Sequence, residues 1–142
     1  MIKKGFTCSC FDLLHAGHIK MLQDARNQCD YLIVGLQSDP TIDRPDTKNK
    51  PIQSLEERQI QLEAVKYVDE VFTYDTEKEL YKNLLFIKPD VRILGSDYIG
   101  KSFTGDDLDI KIYYHDRNHN YSTTNLRKKI VSEHIHRETS KG

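Results

Sequence analysis

Long apolar runs, a strong net charge and an even set of cysteines are all missing from this 142-residue sequence. No stretch approaches the ~18 apolar residues of a membrane-spanning helix, and the N-terminus lacks the apolar core of a signal peptide. The formal net charge of −1 argues against a nucleic-acid partner, which usually requires a strongly basic face. Three cysteines form no disulfide framework and fit a reducing compartment. These absences predict a cytoplasmic protein that binds neither membranes nor nucleic acid.

What the sequence contains is enough for one globular domain. Hydrophobic residues make up 37% of the chain and charged residues 30%, which is typical of a folded, well-solvated protein. A chain of this length can bury roughly two-thirds of its unfolded surface. It has no internal repeat, low-complexity tract or interdomain linker. We therefore expect residues 1–142 to form a single domain.

Segments with strand character alternate with segments with helix character. Apolar runs such as Tyr31–Leu36 are typical of buried parallel strands. Ser54 and Glu57 have the spacing of a capping box and predict the start of a helix. The predicted strands are 2–8, 31–36, 70–74, 91–94 and 110–114, and the predicted helices are 17–29, one that opens at 54, 77–87 and 122–134.

This alternation predicts an α/β fold of the Rossmann-like type, with a parallel sheet and helices on both faces. Right-handed crossovers bring the loops that follow the strands to one edge of such a sheet, and ligands bind outside the carboxyl ends of the strands. The polar segments 9–18, 95–105 and 115–124 all follow predicted strands. We therefore expect these three distant segments to meet at one site.

The segment Phe11-Asp-Leu-Leu-His15-Ala-Gly17-His18 has the residues of a triphosphate-binding turn. Gly17 lets the backbone approach a ligand closely, and a helix N-terminus offers free N–H groups and partial positive charge to phosphate. One helical turn puts His15 and His18 on the same side, where each can donate a hydrogen bond to a phosphate oxygen.

Two other interpretations of these histidines remain open. Each histidine can simply cap or pack the helix. Cys8 and Cys10 can also join His15 and His18 in a zinc site, although this spacing is not that of a common zinc module.

A second helix N-terminus is predicted at Arg117-Asn-His-Asn-Tyr-Ser122-Thr123-Thr124. Ser122 is a good N-cap, and the two threonines add hydroxyl groups in the first turn. Arg117 can form two parallel hydrogen bonds with a phosphate. An ordinary capped helix explains this segment equally well when it is considered alone.

Together, the two segments resemble the cytidylyltransferase family of the H-x-G-H nucleotidyltransferase superfamily, and most of all the glycerol-3-phosphate cytidylyltransferases. Those proteins carry G-T-F-D-L-L-H-W-G-H and R-T-E-G-I-S-T-T, where this chain has S-C-F-D-L-L-H-A-G-H at 9–18 and R-N-H-N-Y-S-T-T at 117–124. Glu57-Arg58, Tyr67–Val71 and Gly95–Tyr98 extend the likeness, which covers residues 4–130. The basic residue that family members place in the helix after Val-Asp-Glu-Val has no clear equivalent here.

The resemblance implies transfer of CMP from CTP to a small phosphorylated alcohol, glycerol 3-phosphate first, with release of pyrophosphate. It also implies Mg²⁺ on the triphosphate and a homodimer. The implied catalytic residues are His15, His18, Lys50 and Arg117, and the implied acceptor-binding residue is Lys48. The implied nucleotide-binding residues are Cys10, Phe11, Gly17, Asp97, Tyr98, Ser122, Thr123 and Thr124.

The residues also indicate how such a reaction would proceed. A phosphate monoester has its second pKa near about 6, so the acceptor is largely dianionic at neutral pH and attacks the α-phosphorus without a general base. Catalysis then rests on positioning and on stabilising charge.

Two alternatives to cytidylyl transfer stay open. The first is an adenylyltransferase that uses ATP and a sugar phosphate such as heptose 1-phosphate, because heptose-phosphate adenylyltransferases also carry H-A-G-H and S-T-T. They lack an arginine five residues before that serine, so Arg117 favours the cytidylyltransferases. The second alternative is a nucleotide-binding module without catalysis. No G-x-G-x-x-G follows the first strand, which argues against a dinucleotide oxidoreductase.

Overall fold

The structure is a computed structural model that describes residues 1–117 and 121–140. Asn118, His119 and Asn120 of the second motif therefore lie outside the described residues. Strands and helices alternate as β1 (Lys4–Ser9), α1 (Ala16–Asn27), β2 (Tyr31–Gln37), α2 (Leu55–Glu63), β3 (Glu70–Tyr74), α3 (Glu77–Ile87), β4 (Val91–Gly95), a 3-10 turn (Ser96–Tyr98), β5 (Lys111–His115) and α4 (Thr123–Ser140).

The five strands form one parallel sheet in the order β3-β2-β1-β4-β5. β1 pairs with β2 along its whole length, from Lys4 opposite Tyr31 to Ser9 opposite Leu36. On its other side β1 pairs with β4, so the order of the strands reverses at β1. A crevice forms at the carboxyl end of such a reversal. The fold is Rossmann-like α/β, as the alternation predicted.

Each face of the sheet buries its own apolar cluster. On one face, Leu22 and Ala25 of α1 pack with Leu32 and Val34 of β2. On the other face, Leu80 and Leu84 of α3 pack in a second cluster with Phe6 and Ile33. Every one of these side chains is at most 4% exposed. Two filled faces hold the sheet rigid, and a rigid sheet fixes the positions of the loops at its carboxyl edge.

Most ends of the strands and helices lie within two residues of the sequence prediction, and the largest difference is at the end of α4. β1 begins at Lys4 rather than residue 2, and the Lys3 backbone N–H donates to the carboxylate of Asp30. α4 continues to Ser140, beyond the predicted end at 134. Within the described residues, no helix combines the length and the apolar character needed to cross a bilayer.

Candidate active site

A cavity of about 470 Å³ opens at the edge where the strands end. The three segments expected at this edge, 9–18, 95–105 and 115–124, all contribute to its wall. The expected site residues that line it are Cys10, His15, Gly17, His18, Lys48, Asp97, Tyr98, Arg117, Ser122, Thr123 and Thr124. The loops that follow these strands therefore meet at one site, as expected for a parallel sheet.

His15 and His18 lie at the start of α1, and their rings stack with centroids 3.9 Å apart. His15 is the N-cap residue, and its Nδ1 accepts the backbone N–H of Gly17 at 3.0 Å. The Nδ1 of His18 accepts the backbone N–H of His15 at 3.2 Å. Because a ring nitrogen that accepts a hydrogen bond carries no proton, both neutral rings have their proton on Nε2. The capping interpretation is confirmed, and capping fixes the tautomer.

The two Nε2–H groups have different surroundings. His15 Nε2 lies 3.2 Å from the Oγ1 of Thr123, and that hydroxyl donates to the carbonyl of Asp12 at 3.3 Å. The hydroxyl therefore accepts from His15, and the contact joins the first turns of α1 and α4. In the described parts of the chain, His18 Nε2 makes no hydrogen bond. Since His18 lines the cavity, its N–H is available to a ligand.

His18 is neutral at physiological pH. Burial lowers its pKa to about 4, and the neighbouring His15 and Arg117 act in the same direction, against a smaller opposing effect of Asp12. A neutral imidazole still donates a hydrogen bond through Nε2. A bound polyphosphate would raise this pKa again, because an opposite charge favours the imidazolium form.

Gly17 is needed for the close approach of two side chains. A Cβ at this position would lie 2.8 Å from His15 Cε1 and 3.0 Å from the Cβ of Tyr121. The glycine was expected to make room for a ligand. In the structure the space beside it is filled by the His15 ring and by the residue that precedes the α4 cap. A side chain at position 17 would therefore displace the His15 ring or Tyr121.

The N-terminus of α4 forms another part of the cavity wall. The Oγ of Ser122 accepts the backbone N–H of Asn125 at 3.0 Å, so Ser122 caps the helix as predicted. Arg117 lies opposite Asp97, with Nη1 and Oδ1 3.9 Å apart, and both side chains are about half exposed. An exposed pair at this distance is weak, so the guanidinium can turn towards an anion.

The turn between β1 and α1 contains strained backbone beside the histidines. Phe11 and Leu13 have φ angles of 47° and 52°, in the left-handed region that residues other than glycine rarely occupy. The Phe11 ring is 1% exposed and packs 5.5 Å from the His18 ring. Phe11 does not line the cavity, and its side chain instead supports His18 from the core.

A cytidylyltransferase-like family model matches residues 6–129. The chain belongs to the cytidylyltransferase-like family. It is a nucleotidyltransferase-like domain, as the H-x-G-H and Ser-Thr-Thr segments implied.

Curated relatives of this cytidylyltransferase-like domain include the bifunctional protein HldE of Campylobacter concisus, with 41% identity over 126 residues. HldE of Wolinella succinogenes is 41% identical over 125 residues. Each match covers 88% of this chain and 26% of the relative. The chain thus spans about a quarter of the length of the curated relatives it matches.

Solved structures share the fold of the cytidylyltransferase-like domain. The lipopolysaccharide core biosynthesis protein of Thermoplasma volcanium matches 86% of this chain and 100% of its own, with a TM-score of 0.63 and 23% identity. The pantothenate synthetase of Thermus thermophilus matches 87% of this chain and 61% of its own, with a TM-score of 0.64 and 16% identity. At such identities the likeness shows the fold alone.

Lys48 and Lys50, the two loop lysines to which the resemblance gave roles, lie in different places relative to the cavity. Lys48 lines the cavity and acts electrostatically on Cys10. Burial raises the pKa of Cys10 to about 11, so this thiol is protonated beside the site. Lys50 is exposed and absent from the cavity wall, and its charge acts on Asp39. Lys50 therefore lies outside the described cavity wall, and its catalytic role stays a prediction of the resemblance.

The zinc alternative finds no support in the geometry. In residues 1–117 and 121–140, no group of three or more His, Cys, Asp or Glu side chains is placed to hold a metal ion. The sulfur of Cys8 lies 3.8 Å from Arg92 Nη2, and that of Cys10 lies 3.7 Å from Gln37 Oε1. Mg²⁺ prefers oxygen ligands, whereas the histidines here offer N–H donors. A Mg²⁺ ion would therefore be held through the phosphates of a bound nucleotide.

Asp12 anchors the site and was missed by the sequence reasoning. Its carboxylate accepts the backbone N–H groups of Ile52 and Gln53 at 2.8 and 3.0 Å, and Arg127 Nη2 at 2.6 Å. Burial disfavours the charged form of Asp12, but these donors outweigh burial and lower its pKa. Asp12 thereby joins the first turn, the loop before α2 and helix α4.

Arg58 organises the strand ends from within the core. It is 2% exposed and donates to four backbone carbonyls, those of Cys10, Gln37, Ser38 and Gln53. In the sequence, Glu57-Arg58 only extends the resemblance to the family and indicates no role for Arg58. A buried arginine without a carboxylate partner cannot be recognised from sequence, because its acceptors are backbone atoms from distant segments.

Arg92 is the other buried arginine, and it lines the cavity at 3% exposure. A signal for it was present, since a charged residue inside a short buried parallel strand is unusual. The helix α3, where family members place a basic residue, contributes Glu77 and Leu80 to the cavity wall. The buried cation on this side of the cavity comes from β4, and Arg44, which also lines the wall, is paired with Glu77.

Proposed function

We propose that this domain transfers AMP from ATP to the phosphate group of a sugar phosphate and releases pyrophosphate. The observation that carries the proposal is the paired histidine arrangement at the start of α1. His15 and His18 have their protons on Nε2, at a cavity that also receives Arg117 and the N-terminus of α4. Such donors suit a polyphosphate that gains negative charge during the reaction.

In the proposed reaction an oxygen of the acceptor phosphate attacks the α-phosphorus of ATP. A new phosphorus–oxygen bond forms, and the bond between the α-phosphorus and the α–β bridging oxygen breaks. The electron pair of the broken bond leaves with pyrophosphate. The acceptor phosphate is already dianionic at neutral pH, so no proton has to be removed from the nucleophile. The His18 Nε2–H and Arg117 would stabilise charge on the triphosphate, and Mg²⁺ would accompany the nucleotide.

The choice of ATP over CTP rests on the relatives. HldE proteins of Campylobacter and Wolinella match 88% of this chain at 37–41% identity. This favours the adenylyltransferase side of the resemblance, which shares H-A-G-H with this chain. Ala16, where the cytidylyltransferases have tryptophan, agrees with this choice. The first expectation, CTP with glycerol 3-phosphate, has less support.

Cytidylyl transfer stays the second candidate because of Arg117. This arginine has the cytidylyltransferase spacing to Ser122, and it lines the same cavity.

A pyrophosphate-release screen separates the candidates. ATP and CTP are each combined with glycerol 3-phosphate, choline phosphate, ethanolamine phosphate and a set of hexose and heptose 1-phosphates. The proposal predicts release with ATP and at least one sugar 1-phosphate. Release with CTP and glycerol 3-phosphate would support the second candidate, and nucleotide binding without turnover in any combination would indicate a non-catalytic module.

A further inference from the structure

Arg92 is a buried cation that lacks an anionic partner. Its side chain rises from β4, and its guanidinium lies 5.7 Å from the ring centroid of Phe6 and 5.0 Å from that of Phe103. Nη1 donates to the carbonyl of Thr104, and Nη2 lies 3.8 Å from the sulfur of Cys8. Its Nε is buried and has no hydrogen-bond partner in the part of the chain that the structure describes. The residue lines the cavity, so these features concern a ligand-accessible wall.

The charges around Arg92 leave it uncompensated. Glu77, an acidic residue of the cavity wall, is engaged with other partners: it forms a 2.9 Å ion pair with Arg44 and accepts the hydroxyl of Thr104 at 2.8 Å. Among the described residues, no carboxylate lies within 4 Å of the Arg92 guanidinium. Burying an unpaired guanidinium is costly, so a site that retains one is suited to an anion.

The position of Arg92 in the cavity suits binding of the acceptor rather than binding of the nucleotide. Arg117 and the α4 N-terminus, which suit the triphosphate, follow β5 at one end of the cavity wall. Arg92 lies on the other face of the sheet, where its neighbours in the wall come from α3 and the segment 102–104. Its contact with Cys8, two residues before Cys10, keeps the guanidinium near the carboxyl end of β1, where the reacting phosphorus would lie.

We propose that Arg92 binds the phosphate of the acceptor substrate, in the part of the cavity that lies between α3 and the sheet. The inference rests on the proposed function only in requiring a phosphorylated acceptor. Arg92 would orient the attacking oxygen and hold the dianion against the charge of the triphosphate. The hydroxyl of Thr104 and the carboxylate of Glu77 stand beside this position, where they would contact the hydroxyl groups of a sugar.

Calorimetric binding tests this assignment independently of turnover. The probes are hexose 1-phosphates, heptose 1-phosphates and inorganic phosphate, added to protein saturated with a non-hydrolysable ATP analogue. Arg92→Met is compared with wild type, with Arg92→Lys, and with Lys82→Met, which removes an exposed charge from the outer side of α3. The affinity for the analogue alone and the melting temperature are measured for each variant.

We expect Arg92→Met to weaken binding of the phosphorylated probe by roughly tenfold to 100-fold, the usual effect of losing hydrogen bonds from a charged donor. Affinity for the ATP analogue should stay within about twofold, Arg92→Lys should be intermediate, and Lys82→Met should resemble wild type. A merely structural arginine, which holds the 102–104 segment through Thr104, would weaken both ligands together and lower the melting temperature.

Three results would overturn the assignment. These are unchanged probe affinity in Arg92→Met, equal losses for probe and nucleotide, and failure of every probe to bind the wild-type protein. If Arg92→Met does not fold, Arg92→Lys decides by the same criteria. The proposed function fails separately, when no acceptor is turned over with ATP although a sugar phosphate still binds through Arg92.

Discussion

The imidazole rings of His15 and His18 stack 3.9 Å apart, and each ring accepts a backbone N–H on Nδ1. The capping contacts of α1 therefore do two things at once. They satisfy N–H groups that a helix start leaves open, and they hold both protons on Nε2. The contacts that cap α1 thus also determine which nitrogen of each ring can donate to a ligand.

Replacing His18 with alanine should lower turnover by on the order of 100-fold or more while the fold stays intact, because a preorganised donor to the triphosphate is lost. The measurement is steady-state pyrophosphate release, with circular dichroism to check folding. His134→Ala, an exposed histidine on α4, is the matched control and should keep wild-type turnover. Near-normal activity in His18→Ala would remove His18 from the mechanism.

The low pKa of His18 predicts a pH dependence of stability. In the unfolded chain this group binds a proton near its ordinary pKa of 6.5, whereas in the folded protein its pKa is about 4. The unfolded state thus binds more protons between these values, so the free energy of unfolding should fall as the pH falls from about 6.5 to about 4. Urea titrations of wild type and His18→Gln at several pH values check this. If His18 had its ordinary pKa in the folded protein, the difference in the free energy of unfolding between the two proteins would not change with pH.

Gly17→Ala should lower turnover more than it lowers stability. The added Cβ would meet the His15 ring at 2.8 Å and Tyr121 at 3.0 Å, and the ring is the easier group to displace. Displacing the ring breaks its hydrogen bond to Thr123 and tilts the pair. Lys20→Ala, on the exposed side of the same helix, controls for a general effect on α1. Equal turnover in both variants would mean that the position of His15 does not matter.

Asp12→Ala should destabilise the fold by about 3 kcal/mol or more, since it leaves the Arg127 guanidinium and two backbone N–H groups without their acceptor. Urea unfolding measures this loss. Asp12→Asn, which keeps acceptor oxygen and shape, should lose less. A change below about 0.5 kcal/mol in the alanine variant would show that Asp12 does not hold α4 to the loop before α2.

The sequence was a good guide to the fold and to most of the cavity wall. Periodicity located every strand and helix named above, because parallel strands such as Tyr31–Gln37 are continuously apolar and the helices carry clear caps at Ser54 and Ser122. The rule that loops meet at the carboxyl edge then brought His18 and Arg117 to one cavity.

The hydrogen-bond partners of individual side chains could not be predicted from the sequence pattern. Arg58 and Arg92 bind backbone carbonyls of distant segments, and Asp12 binds N–H groups about 40 residues away in sequence. No spacing rule encodes such contacts. The role of Lys50 rests on the resemblance alone, and loops vary more among relatives than the strands and helices they connect. The homodimer and the substrates also rest on resemblance to other proteins, and they remain predictions.

The central claim is that AMP, with the α-phosphate of ATP, is transferred to the acceptor. ATP labelled in its phosphates tests this claim most directly. ATP labelled with ³²P at the α or the γ position is incubated with the wild-type domain and the sugar 1-phosphate that the screen identifies. The account predicts that α label appears in a nucleotide sugar and γ label in pyrophosphate. It also predicts that both signals fall together in His18→Ala. Label from the γ position on the acceptor, or no transfer from the α position to any acceptor, would contradict it.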